Sequence, residues 1–348
     1  MKNSKLYNIM PFIIALFFAI LAYYFYPING DYDLSKYYHL MDLIKLNDAE
    51  TLMYINNYFE ILFRFYMYLI AFIGNYRLLQ FFPVLFLYLI LCYIIFDYGK
   101  NHGFSKLSIV IISMLCLSLF RFVLIASSIR YAIAYVIFAL ALYLDLIKKD
   151  KRFWVKLLYI LPIFLHKTSI IFLLLRLLIE IKNKKIIYFI FGISTILFFF
   201  PNFVIEIITP FKNIKIVESL INMIYGYLIE ENVPIYLQLI FRLFQTTFFT
   251  LCGVLCYLKT TDNSMKKYYI MLVLVGIFTI CLFNYFTIFM RMIDFLVFMS
   301  PIVIFECLRL IHSNEKLKLF YPLLLLLLGV FIVCGIYIQI IDFKGMYF

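Results

Sequence analysis

The sequence predicts an all-α, polytopic integral membrane protein of about nine to eleven transmembrane helices, with a broken or re-entrant helix pair around residues 153–181. Three observations carry this fold class. Hydrophobic residues make up 66% of the 348 positions, where a soluble domain carries about 45–50%. Charged residues make up 14%, against a usual ~25%, and the mean hydropathy is +1.00. A soluble globule of this size leaves too much of its surface in water to hide that much apolar material. A cytosolic enzyme, a secreted disulfide domain, a nucleic-acid-binding domain and a disordered tail are excluded together. The chain reads as one transmembrane domain over 1–348, with no separate soluble domain.

A spanning helix needs about 20 largely apolar residues. Runs of that kind lie at 9–27, 78–97, 107–125, 130–147, 186–200, 236–258, 268–289, 292–310 and 320–341. The first follows Lys2 and Lys5 and ends in Tyr23-Tyr24-Phe25-Tyr26-Pro27 with no small-residue cleavage site, so it reads as an uncleaved span. Residues 53–73 are apolar but carry Glu60 and Arg64. Residues 153–181 hold Pro162 and His166 midway. That stretch is too short for two full spans, so it reads as two short helices meeting near Pro162–Thr168. Broken backbone at membrane depth is tolerated where protein or water satisfies it, and such places mark working sites.

The net charge of +12 comes from 31 Lys and Arg against 19 Asp and Glu. Eighteen of the 31 fall in six short clusters: Lys2/Lys5, Lys100/Lys106, Lys148–Lys156, Lys182–Lys185, Lys259–Lys267 and Arg309–Lys318. Under the positive-inside rule these clusters are cytoplasmic, and the charge excess is topology, with no nucleic-acid partner implied. The outer loops are then about 28–52 and 202–235, both rich in Asp and Glu. The N-terminus is inside, and 53–73 lies at the outer surface without a net crossing. The seven cysteines all sit in apolar runs, where a thiol acts as a small hydrophobe. No metal site and no cofactor are expected.

Ionisable residues within or at the edge of spans are costly and tend to be functional or paired. Arg130 follows Ser127-Ser128, which can cap a helix. A cation in the first turn opposes the helix dipole, so an anion outside would compensate it; the plainer reading is an arginine snorkelling to headgroups. Arg291 falls between two predicted spans with Asp294 three residues on, where an i, i+3 ion pair is the plainer reading. His166 sits at the proposed break beside Lys167, Thr168 and Ser169. All three come out near the outer face under a topology derived without them. Arg242, with Gln238 and Gln245, is a further candidate; Arg121 and Arg176 read as interface residues. Asp31-Tyr-Asp33 has the form of the Asp-x-Asp metal motif of soluble sugar transferases. Those use cytoplasmic nucleotide sugars, whereas this loop is assigned outside.

Several short motifs, in order along most of the chain, resemble the EpsG family of Wzy-type polysaccharide polymerases. They are Asp31-Tyr-Asp33-Leu-Ser-Lys-Tyr37-Tyr38, the semi-polar stretch from Glu50 through Tyr58, Arg130-Tyr-Ala-Ile-Ala134, Phe164-Leu-His166-Lys-Thr168-Ser169 and Arg291-Met-Ile-Asp294-Phe295. The chain departs from the family pattern at Tyr131 and Asp294. The resemblance implies polymerisation of undecaprenyl-diphosphate-linked oligosaccharides at the outer face of the plasma membrane, yielding capsule, exopolysaccharide or O-antigen. Its partners would be that lipid-linked substrate, membrane lipid, a flippase and a chain-length regulator.

The residues fit such chemistry. A departing diphosphate gains charge, and guanidinium groups match phosphate geometry while staying charged. Arg130 and Arg291 are the candidates, with Arg242 in reserve. The acceptor hydroxyl needs a base. His166 can serve, or can bind phosphate or sugar, and Asp31, Asp33, Glu230 and Glu231 are alternative bases. Tyr37, Ser169 and Glu230 are assigned to substrate binding. An O-antigen-ligase-like transferase and a flippase or transporter of lipid-linked sugars remain the competing readings; the second needs charges along a path through both leaflets.

Overall fold

The computed structural model describes residues 3–25, 33–46, 60–181, 236–284 and 286–344, with isolated pieces at 192, 206 and 209–213. Among the described residues every regular element is helical. Six helices are long and apolar enough to cross a bilayer: Leu78–Asn101, Ile129–Ile147, Gln238–Lys259, Asn263–Cys281, Thr287–Ser313 and Tyr321–Asp342. Shorter apolar helices lie at Ile9–Tyr24, Ile61–Ile73, Lys106–Leu119 and Phe153–Leu165. The chain is an all-α, multi-pass membrane protein. The expected span at 186–200 and most of the 202–235 loop lie outside the described residues. The chain forms two compact units, Met1–Leu173 with Val297–Phe348, and Leu174–Leu296.

The first unit begins with α1 (Asn3–Tyr24), which packs along α4 (Leu78–Asn101). Ala15, Ala19 and Ala22 are fully buried on its inner side, whereas Phe12, Ile13 and Phe17 are exposed. Small residues inward and large apolar residues outward suit a helix with lipid on one side, because they let backbones approach closely. The last carbonyls of a helix have no partner within it. Here Gln80 Nε2 donates to Ala22 O at 2.7 Å and Phe25 O at 2.6 Å. Tyr38 in α2 (Asp33–Lys45) donates to Gln80 Oε1 at 2.6 Å, tying α1, α2 and α4 together.

Helix α3 (Ile61–Ile73) stops at Gly74, whose φ of 83° is the left-handed conformation a glycine adopts without strain. It supports α4 at a weak point. Pro83 lacks an N–H, so the Leu79 carbonyl four residues earlier has no backbone donor. The Tyr66 hydroxyl from α3 lies 2.7 Å from Leu78 O and 3.1 Å from Leu79 O and donates to them.

The expected single span at 107–125 is corrected. Helix α5 (Lys106–Leu119) ends, Phe120 and Arg121 are extended, and a six-residue helix α6 (Phe122–Ser127) follows. The break is stabilised from the other end of the chain. On α13 (Tyr321–Lys344), Gln339 Nε2 donates to Leu117 O and Ser118 O at 2.9 Å each. Arg121, read from sequence as an interface residue, instead meets Asp342 with two nitrogens at 2.8 and 2.9 Å. Gly335 lets α13 approach, since a Cβ there would fall 2.5 Å from Ser118 O.

Helix α7 (Ile129–Leu142) runs into a π-turn at Tyr143–Ile147. The following basic loop is anchored by Lys148–Asp97 at 2.8 Å and Lys151–Asp145 at 2.7 Å. Helices α8 (Phe153–Leu165) and α9 (Ser169–Glu180) are separate, and the chain breaks between them at His166–Thr168, as the sequence suggested.

In the second unit, α10 (Tyr236–Lys259) packs on α11 (Asn263–Cys281). Their approach is close: a Cβ on Gly276 would meet Thr250 Oγ1 at 2.0 Å. Glu180 pairs with Arg176 at 2.5 Å and Lys267 at 2.6 Å. The expected boundary between spans 268–289 and 292–310 is also corrected. The chain turns at Leu282–Asn284, and α12 (Phe286–Ser313) already contains Arg291.

Gly335→Ala is expected to lower stability in detergent by about 1–3 kcal/mol, because the obstructing atom is backbone and cannot rotate away. Gln339→Leu should cost about 1–3 kcal/mol through two carbonyls left without their donor. Thermal melts unchanged in both variants would show that α13 does not hold the α5–α6 break.

Candidate active site

The break between α8 and α9 presents His166. Its backbone is extended, with φ −153° and ψ 117°, and its N–H still bonds Pro162 O at 2.8 Å. The Ser169 N–H returns to His166 O at 3.0 Å, closing the turn that starts α9. Thr168 is fixed by a 3.0 Å hydrogen bond between its hydroxyl and that of Tyr135 on α7. The imidazole is buried at 6% exposure, with the rings of Tyr131 and Tyr135 at 6.3 and 6.2 Å.

Arg130 stands in the first turn of α7. The expected serine cap does not form. Ser128 makes no cap bond and instead donates to Asp33 Oδ2 at 2.9 Å, while Ser127 donates back to Leu124 O at 3.2 Å. A hydroxyl engaged by a carboxylate on another helix is no longer available to the helix's own N–H groups. The Arg130 guanidinium lies over the rings of Tyr37, at 5.0 Å, and Phe63, at 5.7 Å.

The carboxylate in direct contact with Arg130 is Glu60, and Asp33 adds a second negative charge nearby. The Glu60 Oε2 lies 2.5 Å from Arg130 Nη1, and its Oε1 lies 3.2 Å from His166 Nδ1. One carboxylate thus joins α7, the α8–α9 break and the start of α3. Glu60 is one of two non-glycine residues with positive φ among the described residues, at 69°. Left-handed backbone costs such a residue roughly 1–2 kcal/mol. It sits at the N-cap of α3 but makes no cap bond, its oxygens being turned to Arg130 and His166. Burial alone would push its carboxyl up. The His166 hydrogen bond, with the charges of Arg130, His166 and Lys167, outweighs burial and holds it down at about 2. Glu60 precedes α3 and stays ionised throughout the physiological range.

The structure therefore brings together Asp33, Tyr37, Arg130, His166 and Ser169 of the residues selected from sequence, all in the first unit. It adds Glu60, which the sequence marked only as a carboxylate in an apolar run. Two buried donors in this region, Arg130 Nε and Ser169 Oγ, make no hydrogen bond among the described residues. Arg242 and Arg291 belong to the second unit. Arg242 is 1% exposed and donates to Gln245 Oε1 at 2.9 Å. Arg291 is half-buried, one turn before the buried Asp294. Asp31 and Glu230 lie outside the described residues. Among the described residues no cluster of three His, Cys, Asp or Glu is placed to hold a metal ion.

Beside the polar group lies an open cavity of about 330 Å³ between α3, α4, α7 and α8. Phe63, Tyr66, Phe82, Phe86, Ile133 and Leu165 line it. Its one hydroxyl, on Tyr66, is turned away to the α4 carbonyls. The polar cluster and the cavity share a wall: Phe63 lies under Arg130, and Leu165 directly precedes His166.

A family profile matches residues 8–344, nearly the whole chain. The chain belongs to the EpsG family. A search of curated proteins and a search of solved structures returned no match. EpsG membership points to an exopolysaccharide-related polymerase of glycosyltransferase type.

The depressed Glu60 sets a sign for pH dependence. Its contribution to stability is complete above pH 4.5 and is lost as pH falls through about 2. Melting temperatures of wild type and Glu60→Gln are expected to differ most above that range and to converge in acid. A gap that stays constant down to about pH 2 would exclude the ionised carboxylate from the stability of the cluster.

Proposed function

We propose that this EpsG-family protein polymerises undecaprenyl-diphosphate-linked oligosaccharide units at the outer face of a bacterial plasma membrane, with its N-terminus cytoplasmic. The observation that carries the reading is the shared Glu60 carboxylate, which holds an arginine and a histidine at one site beside an apolar cavity. A lipid-linked glycosyl donor has the matching parts: a hydrocarbon chain, a diphosphate and a sugar.

In the proposed step a hydroxyl of the acceptor unit attacks the anomeric carbon of the growing chain. The new carbon–oxygen bond forms as the bond to the lipid diphosphate breaks, and the electron pair leaves with the diphosphate. With Nδ1–H donated to Glu60, the Nε2 lone pair of His166 accepts the hydroxyl proton. A positioned base of this kind contributes about 10²–10⁴-fold. Arg130 meets the charge developing on the diphosphate, worth about 3 kcal/mol for a well-aimed donor in a dry site. Ser169, Tyr37 and Asp33 contact the substrate near this pair. Within the second unit, Arg242 and Arg291 are proposed as phosphate-binding groups in their own right, and Asp31 and Glu230 remain proposed substrate contacts. A flippase would deliver the units, and a chain-length regulator would set their number.

Complementation of a polymerase-null strain tests this through the polymer ladder. Wild type should restore long polymer. His166→Ala should cut it by about 10²-fold or more, and Arg130→Lys by a similar factor, because an ammonium cannot reproduce the planar fork. Full ladders from both variants would overturn the assignment. Cysteine labelling at position 150 from outside the cell would overturn the orientation.

A further inference from the structure

Glu60 has a use that the reaction outlined above does not assign. An arginine at the edge of an apolar region is costly without an anion; Glu60 is the carboxylate in direct contact with it, and Asp33 adds a second negative charge nearby. The contact is single-ended: one carboxylate oxygen on one terminal nitrogen, 2.5 Å apart, with Arg130 Nε making no hydrogen bond among the described residues. A guanidinium offers five donors and favours two-point contact with phosphate, and Glu60 does not supply that two-point contact. The carboxylate is stretched between two duties, one oxygen for Arg130 and the other for His166. It holds them from a left-handed backbone and without capping its own helix. Strain kept at a charged site points to function there. The Ser169 hydroxyl, fully buried and making no hydrogen bond among the described residues, stands at the start of α9, three positions after His166. It supplies a second donor at an anion-favouring helix end.

We propose that Glu60 is a placeholder anion and a positioning residue: the donor's diphosphate takes Arg130 from it, and the released carboxylate then serves His166 alone. Donor binding and preparation of the base become one event. The inference rests on the proposed polymerase reading for the identity of the anion, but the ion-pair exchange is measurable without catalysis. No proton or bond is exchanged; one hydrogen-bonded ion pair replaces another.

The test uses the full chain in nanodiscs with inorganic pyrophosphate as probe. Wild type should bind it, and Arg130→Gln should weaken binding about tenfold or more. Glu60→Gln should bind it more tightly than wild type, by several-fold to about tenfold, because a competing anion is removed and the competent fraction rises. In the polymerisation assay the same variant should show a lower donor KM together with a kcat reduced about 10–100-fold, and Glu60→Asp should recover part of the kcat. A residue that merely braces the fold would lose both parameters. Binding by Glu60→Gln that is equal to or weaker than wild type, or no binding by wild type, overturns the proposal. If Glu60→Gln does not fold, Glu60→Asp carries the binding test with the same sign, since its shorter side chain pairs less well with Arg130. Tighter binding in the variant with no polymer from wild type would leave the exchange standing and remove the polymerase reading.

Discussion

A polar backbone group surrounded by hydrocarbon must find its partner within the protein, and this requirement organises the first unit. At three places there where a helix ends or loses a backbone donor, a side chain from another helix meets the carbonyls. Gln80 takes the carbonyls at the end of α1. Tyr66 takes the Leu79 carbonyl released by Pro83, together with its neighbour on Leu78. Gln339 takes those at the end of α5. Each donor lies on a different element from its acceptors. The irregular backbone that positions a site is therefore also what cross-links the helices, and the packing follows from these contacts as much as from apolar area.

The same logic extends to charge. Arg130, Arg121 and Arg242 are each held by a side-chain acceptor: Glu60, Asp342 and Gln245. Two of these contacts join segments far apart in the chain. Only the Arg130 contact shares its carboxylate with a titratable ring. Arg121–Asp342 is a two-nitrogen pair whose geometry is complete, as expected of a structural link. Arg130–Glu60 is incomplete on the arginine side. That difference in geometry, more than burial, separates an ion pair that fastens helices from one that can exchange.

Much of this was legible in the sequence, and the limits have a physical cause. Spanning helices show in composition, because about 20 consecutive residues must suit lipid. The break at His166 shows because Pro162 and a polar run interrupt an apolar stretch. The break at Phe120–Arg121 does not show, since no proline or glycine marks it and Arg121 alone interrupts the apolar run. It depends on Gln339, 221 and 222 positions away from its two acceptors. Glu60 was visible as a misplaced carboxylate, but its partners lie 70 and 106 positions on. The serines before Arg130 were misread for the same reason: a hydroxyl at a helix start is a local cap until a distant acceptor, here Asp33, competes for it. Residue type records what a side chain can do, and the fold decides which of its possible partners arrives.

The break in α5 bears on the site as well as on packing. An unbroken helix from Lys106 onward would carry the chain past Phe120 without a turn, and Arg130 would fall in its interior. The extended pair Phe120–Arg121, the short α6 and the non-helical Ser128 restart the helix, so that Arg130 enters α7 in its first turn. There the N–H groups of a helix start are uncommitted and an anion is favoured by the dipole. A cation in that turn adds to the attraction instead of cancelling it. Arg130 and the start of α7 therefore present positive charge on the same side, where the Glu60 carboxylate meets Arg130. The position of that shared positive end is set through α6 by the Arg121–Asp342 and Gln339 contacts with α13.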